Sequence, residues 1–195
     1  MLILRLLLNL QAYDTRTDAE QRRPRDAIPR TAKGNHYLLV FIDTFTKWVE
    51  LVPVRTINGK ILSQEIKETI FLRFGVCDEY ISDNGSEFEC KEVNKLLDEY
   101  ESTHTLIPPR HARANRVERT NRVIKTQIIA FIEEKHNKWD KYIHELMFAY
   151  NTMVHESTGM TSAFMNYGRN PTPPKSLKRR EEMLVEDLQA EAREE

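Results

Sequence analysis

Apolar and polar positions follow two different periods along the chain, and each period predicts its own kind of element. The nearly continuous apolar run of residues 37–42 is typical of a strand buried on both faces, and residues 48–54 form a second strand of a β-hairpin. Residues 60–74 carry apolar side chains at i, i+4 and i+5 spacing, which predicts a helix that ends at Gly75.

The rest of the chain continues this alternation of strands and helices. Short strands are predicted at residues 79–82 and 102–107, and helices at residues 89–100, 115–134 and 139–155. Residues 11–35 are polar and rich in arginine, proline and aspartate, so we expect irregular structure there. The alternation predicts an α/β domain with a mixed sheet.

Composition excludes several classes of protein. With 195 residues, 40% of them hydrophobic, the chain has enough apolar material for one packed core. The apolar run of residues 1–10 contains Arg5 and is about half the ~20 residues that a spanning helix needs, so we expect no membrane partner. Cys77 and Cys90 are the only cysteines, which excludes a disulfide scaffold and favours a reducing, intracellular compartment.

One candidate for chemistry is Asp83, which follows the predicted strand 79–82. The segment 82–88 reads Ser-Asp-Asn-Gly-Ser-Glu-Phe, so a carboxylate comes at the carboxyl end of a buried strand, where α/β sheets bind ligands. An ordinary Asp-Asn-Gly turn explains the same residues. This segment alone does not decide between the two.

A second candidate is Glu118, near the start of the helix predicted at residues 115–134. The formal net charge of the chain is -1, yet residues 110–125 surround this single carboxylate with cations. These are Arg110, Arg113, Arg116, Arg119, Arg122 and Lys125. A solvated helix face with a Glu–Arg pair would have the same composition. A carboxylate among cations also suits a metal site beside a phosphate backbone, and the cluster predicts a nucleic-acid surface.

Segments 82–88 and 114–122 together resemble the integrase catalytic core of gypsy-class LTR retrotransposons and retroviruses. Segments 34–50, 148–161 and 167–169 are similar to the same family in the same order, so the resemblance covers about residues 29–174. It implies a ribonuclease H-like fold, a mixed sheet flanked by helices. It also implies a polynucleotidyl transferase that acts on DNA with three carboxylates and two Mg²⁺ (or Mn²⁺) ions, in the nucleus, with a core that forms homodimers through its long helices.

The resemblance assigns two of the three carboxylates without difficulty. Asp83 and Glu118 match the second and third, as catalytic residues and metal ligands. The family pattern around the first carboxylate, aligned on Pro29, puts Arg23 at that position, and Asp26 could substitute only through a shift of three residues. Asp43 has a similar local context, but we interpret it as a structural residue that caps the hairpin turn.

These matches divide the chain into three parts and leave its activity open. Residues 1–28 are interpreted as a degenerate or non-homologous segment, 29–174 as the core, and 175–195 as a charged helical tail. Without the first carboxylate we expect weak or absent catalysis. The alternative is a non-catalytic, transposon-derived module that binds nucleic acid or protein. An adaptor role for the tail is disfavoured, because its leucines span less than two heptads.

Overall fold

The computed structural model describes residues 30–82, 88–106 and 138–173, together with the backbone of residues 7–14. Its five strands form one mixed sheet in the order β3-β2-β1-β4-β5. The strands are β1 (Leu7–Asp14), β2 (Tyr37–Asp43), β3 (Val49–Val54), β4 (Glu79–Ser82) and β5 (Thr103–Leu106). Strands β1 and β2 are antiparallel, as are β2 and β3, whereas β4 is parallel to both β1 and β5.

The helical elements come between and after the strands. They are α1 (Gly59–Glu65), a π-helical segment (Ile66–Phe71), α2 (Leu72–Phe74), α3 (Lys91–Glu99), a 3-10 turn (Trp139–Lys141), α4 (Ile143–Thr152) and α5 (Ser162–Tyr167). The helix predicted at residues 60–74 is thus confirmed, although six of its residues take the wider π form. The six-residue α5 was not predicted. The helix predicted at residues 115–134 and the tail lie outside the described residues.

Both faces of the sheet are covered, as the continuous apolar run of β2 predicts. Leu39 and Phe41 face a core that includes side chains of α1, the π-helical segment and α3. Leu38, Val40 and Ile42 point the other way, against the 3-10 turn and α4. On that second face Trp139, Ile143 and Tyr150 are buried and Met147 packs against them, as predicted. The arrangement confirms a mixed sheet flanked by helices.

The prediction for the amino-terminal segment is wrong at residues 11–14. These residues belong to β1, which is the central strand of the sheet and pairs with β2 on one side and β4 on the other. The sheet of the core therefore extends into the segment 1–28 that sequence analysis set apart. In sequence, Leu8, Leu10 and Ala12 alternate with Asn9 and Gln11. This period-two alternation indicates a strand, whereas the arginine- and proline-rich residues that follow it favour irregular structure.

The start of α1 packs closely against the start of α3. The side chain of Asn58 caps α1 by accepting a hydrogen bond from the Ile61 amide at 3.0 Å. A Cβ atom on Gly59 would meet the Sγ atom of Cys90 at 2.5 Å and the Oε2 atom of Glu92 at 2.6 Å. A larger residue at position 59 would therefore require the Cys90 and Glu92 side chains to change conformation.

Helix α4 is fixed to β3 by one buried amide side chain. Asn151 is 2% exposed and accepts a hydrogen bond from the Val49 amide at 2.9 Å. Its Nδ2 atom donates to the Val49 carbonyl oxygen at 2.8 Å. One side chain thus satisfies both the amide and the carbonyl group of Val49. On that side these groups have no neighbouring strand as a partner, because β3 is an edge strand of the described sheet.

We expect Asn151→Ala to lower the free energy of unfolding by about 2–3 kcal/mol, because it leaves the Val49 amide and carbonyl buried without their partner. Urea denaturation followed by circular dichroism measures the change. Met153→Ala is the control. Met153 follows the same helix and is 49% exposed, so its truncation should change stability by no more than about 0.5 kcal/mol. A loss for Asn151→Ala no larger than that of the control would contradict the assignment.

Candidate functional site

The carboxyl ends of three parallel strands meet at one edge of the sheet, the edge at which ligands bind in α/β folds. Strand β1 ends at Asp14, β4 at Ser82 and β5 at Leu106. In the sequence, Asp83 comes directly after β4, and Glu118 lies in the segment that follows β5. Both predicted carboxylates therefore follow strands that end at this edge.

The predicted site residues themselves lie outside the described residues. They are Asp26, Asp83 and Glu118, together with Arg110, Arg113, Arg116, Arg119, Arg122 and Lys125. A shared pocket for Asp83 and Glu118 stays a prediction. The structure describes the strands and helices from which these segments depart.

A chain of three polar side chains links β4, β5 and α3 at this edge. The hydroxyl of Ser82, a residue with no exposed surface, lies 2.9 Å from the Nε2 atom of His104. The Nδ1 atom of the same ring lies 3.3 Å from the Oδ1 atom of Asn94. Sequence spacing does not reveal this chain, because the partners of His104 are 22 and 10 residues away from it.

The environment of His104 keeps its imidazole neutral near pH 7. Burial lowers the pKa of His104 below the ordinary value, because an imidazolium loses hydration there, and the Glu89 carboxylate only partly opposes this effect. The Tyr80 ring packs on the imidazole with ring centroids 5.2 Å apart. A neutral ring has one donor and one acceptor nitrogen, which suits a link between two side chains.

The register of β1 shows which residue of this strand lies nearest to the end of β4, where the resemblance places the first carboxylate. Leu10 pairs with Ser82, the last residue of β4, so Gln11 is the next residue of β1 in the direction of the site edge. The single acidic residue of β1 is Asp14. It lies four positions beyond Leu10, or roughly 13 Å at about 3.3 Å per residue. Where β4 ends, the neighbouring strand β1 therefore continues with the amide residue Gln11.

Sequence alignment on Pro29 points to a different part of the chain for this strand. It assigns the first position to Arg23, whereas the central strand of the structure is Leu7–Asp14. Asp26, the substitute considered, is not part of that strand and lies outside the described residues. The strand before the hairpin is therefore Leu7–Asp14, a segment that contains neither Arg23 nor Asp26.

Asp43 is structural, as predicted. It is 3% exposed, and its carboxylate accepts hydrogen bonds from the Phe45 amide at 3.2 Å and the Thr46 amide at 3.0 Å. The Thr46 hydroxyl donates to the same carboxylate at 2.5 Å. With all these donors inside its own turn, Asp43 closes the β2–β3 hairpin and is not available as a metal ligand.

The described residues do not by themselves form a two-metal site. Within the described part of the chain, no group of three or more histidine, cysteine, aspartate or glutamate side chains could hold a metal ion. Two Mg²⁺ ions that clamp a phosphodiester need several carboxylate oxygens in octahedral geometry. Asp83 and Glu118, the carboxylates that the family resemblance assigns, lie outside the described residues. The strand next to β4 has Gln11, and not a carboxylate, at the position that follows the last pair with β4.

No helix among the described residues is long and apolar enough to cross a lipid bilayer.

The strand order is β3-β2-β1-β4-β5, β2 runs opposite to the other four strands, and helices cover both faces. This arrangement defines a ribonuclease H-like fold. Solved structures agree with this assignment. The HTLV-2 integrase catalytic core domain in complex with magnesium, in its trimeric form, has a TM-score of 0.64 at 19% identity, over 85% of this chain and 99% of that chain. A simian T-cell lymphotropic virus intasome in complex with PP2A regulatory subunit B56 gamma has a TM-score of 0.65 at 17% identity, over 90% and 60%.

Sequence comparison then assigns the family. Residues 26–112 match the integrase core domain, and this part of the chain belongs to that family. The gypsy retrotransposon integrase-like protein 1 of Bos taurus is 30% identical over 153 residues, which are 77% of this chain and 30% of that protein. The chain thus spans less than a third of the length of this curated relative.

We expect acid to destabilise the fold through two half-buried histidines, His104 and His155. The pKa of His155 is lowered by burial and by Lys47, as that of His104 is lowered by burial. As the pH falls below the ordinary histidine value of 6.5, the unfolded chain therefore takes up protons before the folded chain does. The free energy of unfolding should decrease from pH 7.5 toward the folded-state pKa values and then level off.

Urea denaturation at a series of pH values measures this decrease. His155→Gln should make it smaller, whereas His144→Gln, which removes an exposed imidazole from α4, serves as the matched control and should preserve it. Equal pH dependence in His155→Gln and the control would contradict the assignment to His155.

Proposed function

We propose that this chain is the core of a protein that acts on DNA in the integration of a retrotransposon-type element. The reaction of such a core joins the 3′ ends of the element to target DNA by transfer at phosphorus. The observation that carries the proposal is the ribonuclease H-like sheet together with the integrase core match over residues 26–112, in which Asp83 comes directly after β4. Work on chromosomal DNA would require the protein in the nucleus.

The DNA surface of this proposal is the arginine-rich segment 110–125. The whole chain has a formal net charge of -1, so attraction to a polyanion must come from a local cluster. Six cations and one carboxylate within sixteen positions form such a cluster. Binding through phosphate contacts should weaken steeply with salt, because each neutralised phosphate releases condensed counterions.

Catalysis is the part of the proposal that we expect to be impaired. A divalent metal would be held by Asp83 and Glu118, and Mg²⁺ or Mn²⁺ is the metal expected if the core is active. The HTLV-2 core domain that resembles this chain was solved with magnesium. Here the position after Leu10 is Gln11, whose neutral amide binds a hard cation more weakly than a carboxylate does. This register favours the second candidate function, a non-catalytic module that binds nucleic acid.

A strand-transfer assay on short DNA duplexes with Mg²⁺ or Mn²⁺ tests both candidates. We expect wild-type activity close to the background without metal. Gln11→Asp, which supplies a third carboxylate, should raise strand transfer at least about tenfold, since even residues that only hydrogen-bond to metal ligands typically affect function by that factor. Asp83→Asn in the Gln11→Asp background should abolish the gain. Asp14→Asn is the matched control on β1 and should leave the activity of the wild type and of Gln11→Asp unchanged.

DNA binding separates the two candidate functions in the same preparations. Salt-dependent DNA binding by wild type and Asp83→Asn, without strand transfer in the wild type, supports the non-catalytic module. Strong wild-type activity that Asp14→Asn removes would contradict the register argument, because Asp14 would then be the third carboxylate. Absence of DNA binding in all variants would contradict both candidates.

We also propose that the core forms a homodimer through an aromatic surface around Tyr167. Trp48 contacts Phe74 and Tyr167, with ring centroids 6.0 and 5.3 Å apart. Below them the buried carboxylate of Glu50 accepts hydrogen bonds from the Trp48 indole and the Arg73 guanidinium, both at 2.9 Å. This network fixes the rings of Trp48, just before β3, of Phe74 on α2 and of Tyr167 on α5.

Exposure of large apolar side chains around these rings supports a second copy as the occupant. Leu72, Tyr167 and Phe164 are 66%, 53% and 41% exposed. Leu72 is two residues from Phe74 on α2, and Phe164 lies one turn before Tyr167 on α5. The HTLV-2 core domain was also solved in a dimeric form. The helix predicted at residues 115–134, an earlier candidate for this contact, lies outside the described residues.

Sedimentation equilibrium at micromolar protein concentration tests the dimer. Leu72→Glu combined with Phe164→Glu should convert the wild-type dimer to a monomer that is still folded by circular dichroism, since the two side chains are 66% and 41% exposed in one copy. Phe45→Glu is the control, because Phe45 is 59% exposed but belongs to the β2–β3 turn. A monomeric wild type, or a dimer that survives the double substitution, would contradict this surface.

A further inference from the structure

The carboxyl end of β3 reaches the same edge of the sheet as the carboxyl ends of β1, β4 and β5. Strand β3 is antiparallel to β2, and β2 is antiparallel to β1, so β3 runs parallel to β1. Tyr37, the first residue of β2, pairs with Asp14 of β1 and with Val54, the last residue of β3. The residues just before β2 and just after β3 therefore lie at the site edge.

A closed turn precedes β2 at this edge. The Thr31 amide donates to the Asn35 carbonyl oxygen at 3.1 Å, and the Gly34 amide donates to the Thr31 carbonyl oxygen at 2.9 Å. The Asn35 amide donates to the Thr31 hydroxyl at 3.0 Å. Gly34 has a φ of +87°, a conformation that glycine adopts without strain. Because Thr31 and Asn35 are also buried, this turn has one defined conformation.

One buried hydrogen bond joins this turn to the 3-10 turn before α4. The Nδ2 atom of Asn35 donates to the Oδ2 atom of Asp140 at 3.0 Å, across 105 positions of the chain. Both side chains are buried, and so is Trp139, which precedes Asp140 in the 3-10 turn. The bond between the amide and the carboxylate therefore holds the two turns side by side at the site edge.

Exposed cations surround the place where the two turns meet. They are Arg30, Lys33, Arg55, Lys138 and Lys141, and together we call them the basic surface. Arg30 and Arg55 flank Gly34, since a Cβ atom there would lie 3.4 Å from the Nη2 atom of Arg30 and 4.0 Å from the Cδ atom of Arg55. Among the residues that the structure describes, no carboxylate forms an ion pair with any of these five cations.

The position and extent of the basic surface favour a long polyanion as its ligand. The formal net charge of the chain is -1, so the surface is a local concentration of positive charge. Its cations come from two turns and the end of a strand, and duplex DNA offers one negative charge per about 1.7 Å of its axis. Strands β3 and β4 are three strand spacings apart, roughly 14 Å, which is close to the about 12 Å width of the major groove.

We propose that the basic surface binds the phosphate backbone of a DNA duplex that lies along the site edge. The inference rests on the proposed function for the identity of the ligand. It adds a second DNA contact to the segment 110–125, and this contact consists of described residues. Phosphate contacts position a protein on DNA without reading bases, so the surface should bind duplexes of any sequence.

The salt dependence of DNA binding, measured by fluorescence anisotropy with a labelled duplex and the full chain, tests the proposal. Two double variants remove two cations each from the basic surface. They are Lys33→Gln with Arg55→Gln, and Lys138→Gln with Lys141→Gln. Each should make the slope of log K against log salt less steep by about two, because every lost phosphate contact removes roughly 0.9 from the slope.

Lys95→Gln with Arg169→Gln is the matched control, because it removes the same charge from two exposed positions. Lys95 is on α3, which covers the other face of the sheet. Arg169 follows α5, whose Tyr167 contacts Trp48 at the opposite end of β3. The control should keep the wild-type slope, and circular dichroism should show that all variants are folded. Slopes of both test variants equal to that of the control would overturn the proposal.

Nuclear magnetic resonance of the wild-type chain locates the contact directly. Addition of a short DNA duplex should shift the amide signals of Lys33, Gly34 and Lys141, and leave that of Lys95 unchanged. A polyglutamate peptide is the second probe, because an acidic protein segment is the other polyanion that could meet this surface. Shifts with polyglutamate and none with the duplex would overturn the proposal, since the partner would then be a protein.

Strand transfer by Gln11→Asp separates this inference from the proposed function. If Gln11→Asp has no activity but both test variants lower the salt slope, integration fails as the function and the DNA contact stands. If Gln11→Asp is active and both test variants keep the slope of the control, the DNA contact fails and the proposed function stands.

Discussion

Strand β1 must pair with two different neighbours at once, and the rest of the structure depends on this constraint. On one side it is antiparallel to β2 over seven residue pairs, from Leu8–Asp43 to Asp14–Tyr37, and on the other it is parallel to β4 over four. Without β1 the hairpin and the β4–β5 pair would be two separate sheets, each with an open edge. Because one strand joins them, both apolar faces become continuous, and the helices can cover a single core on each side.

The same strand sets what the site edge can do chemically. Parallel pairing brings the carboxyl ends of β1, β4 and β5 to one edge, and the register fixes which residue of β1 follows the last pair with β4. In this chain that residue is Gln11. The backbone pairing does not depend on the charge of this residue, so the same sheet can present either an amide or a carboxylate at that position. Fold and activity are separate properties here, because the sheet depends on backbone pairing and the chemistry on single side chains.

Elements with a strong local pattern could be predicted from the sequence. The continuous apolar run of β2, the structural role of Asp43 and the glycine that ends the 59–74 helical segment all follow from local rules. Strand β1 has only a short period-two pattern, and its place in the sheet is decided by pairing with residues far along the chain. The link between Ser82, His104 and Asn94 could not be predicted, since no spacing relates three residues from three elements. Asp83 and Glu118 are candidates from their local context, the family resemblance assigns their roles, and their relative position stays a prediction.

The π-helical segment Ile66–Phe71 has a consequence for how the chain can vary in length. In a π turn the hydrogen bonds span five residues, one more than in an α-helix. The segment therefore contains one residue more than an α-helix of the same length. Its wider turn lets Ile66, Ile70 and Phe71 all enter the core. A one-residue deletion within this segment can be absorbed by conversion to α-helix, with Leu62 before it and Phe74 after it still facing the sheet. A deletion in α3, which is α-helical throughout, would instead rotate every later side chain by about 100°.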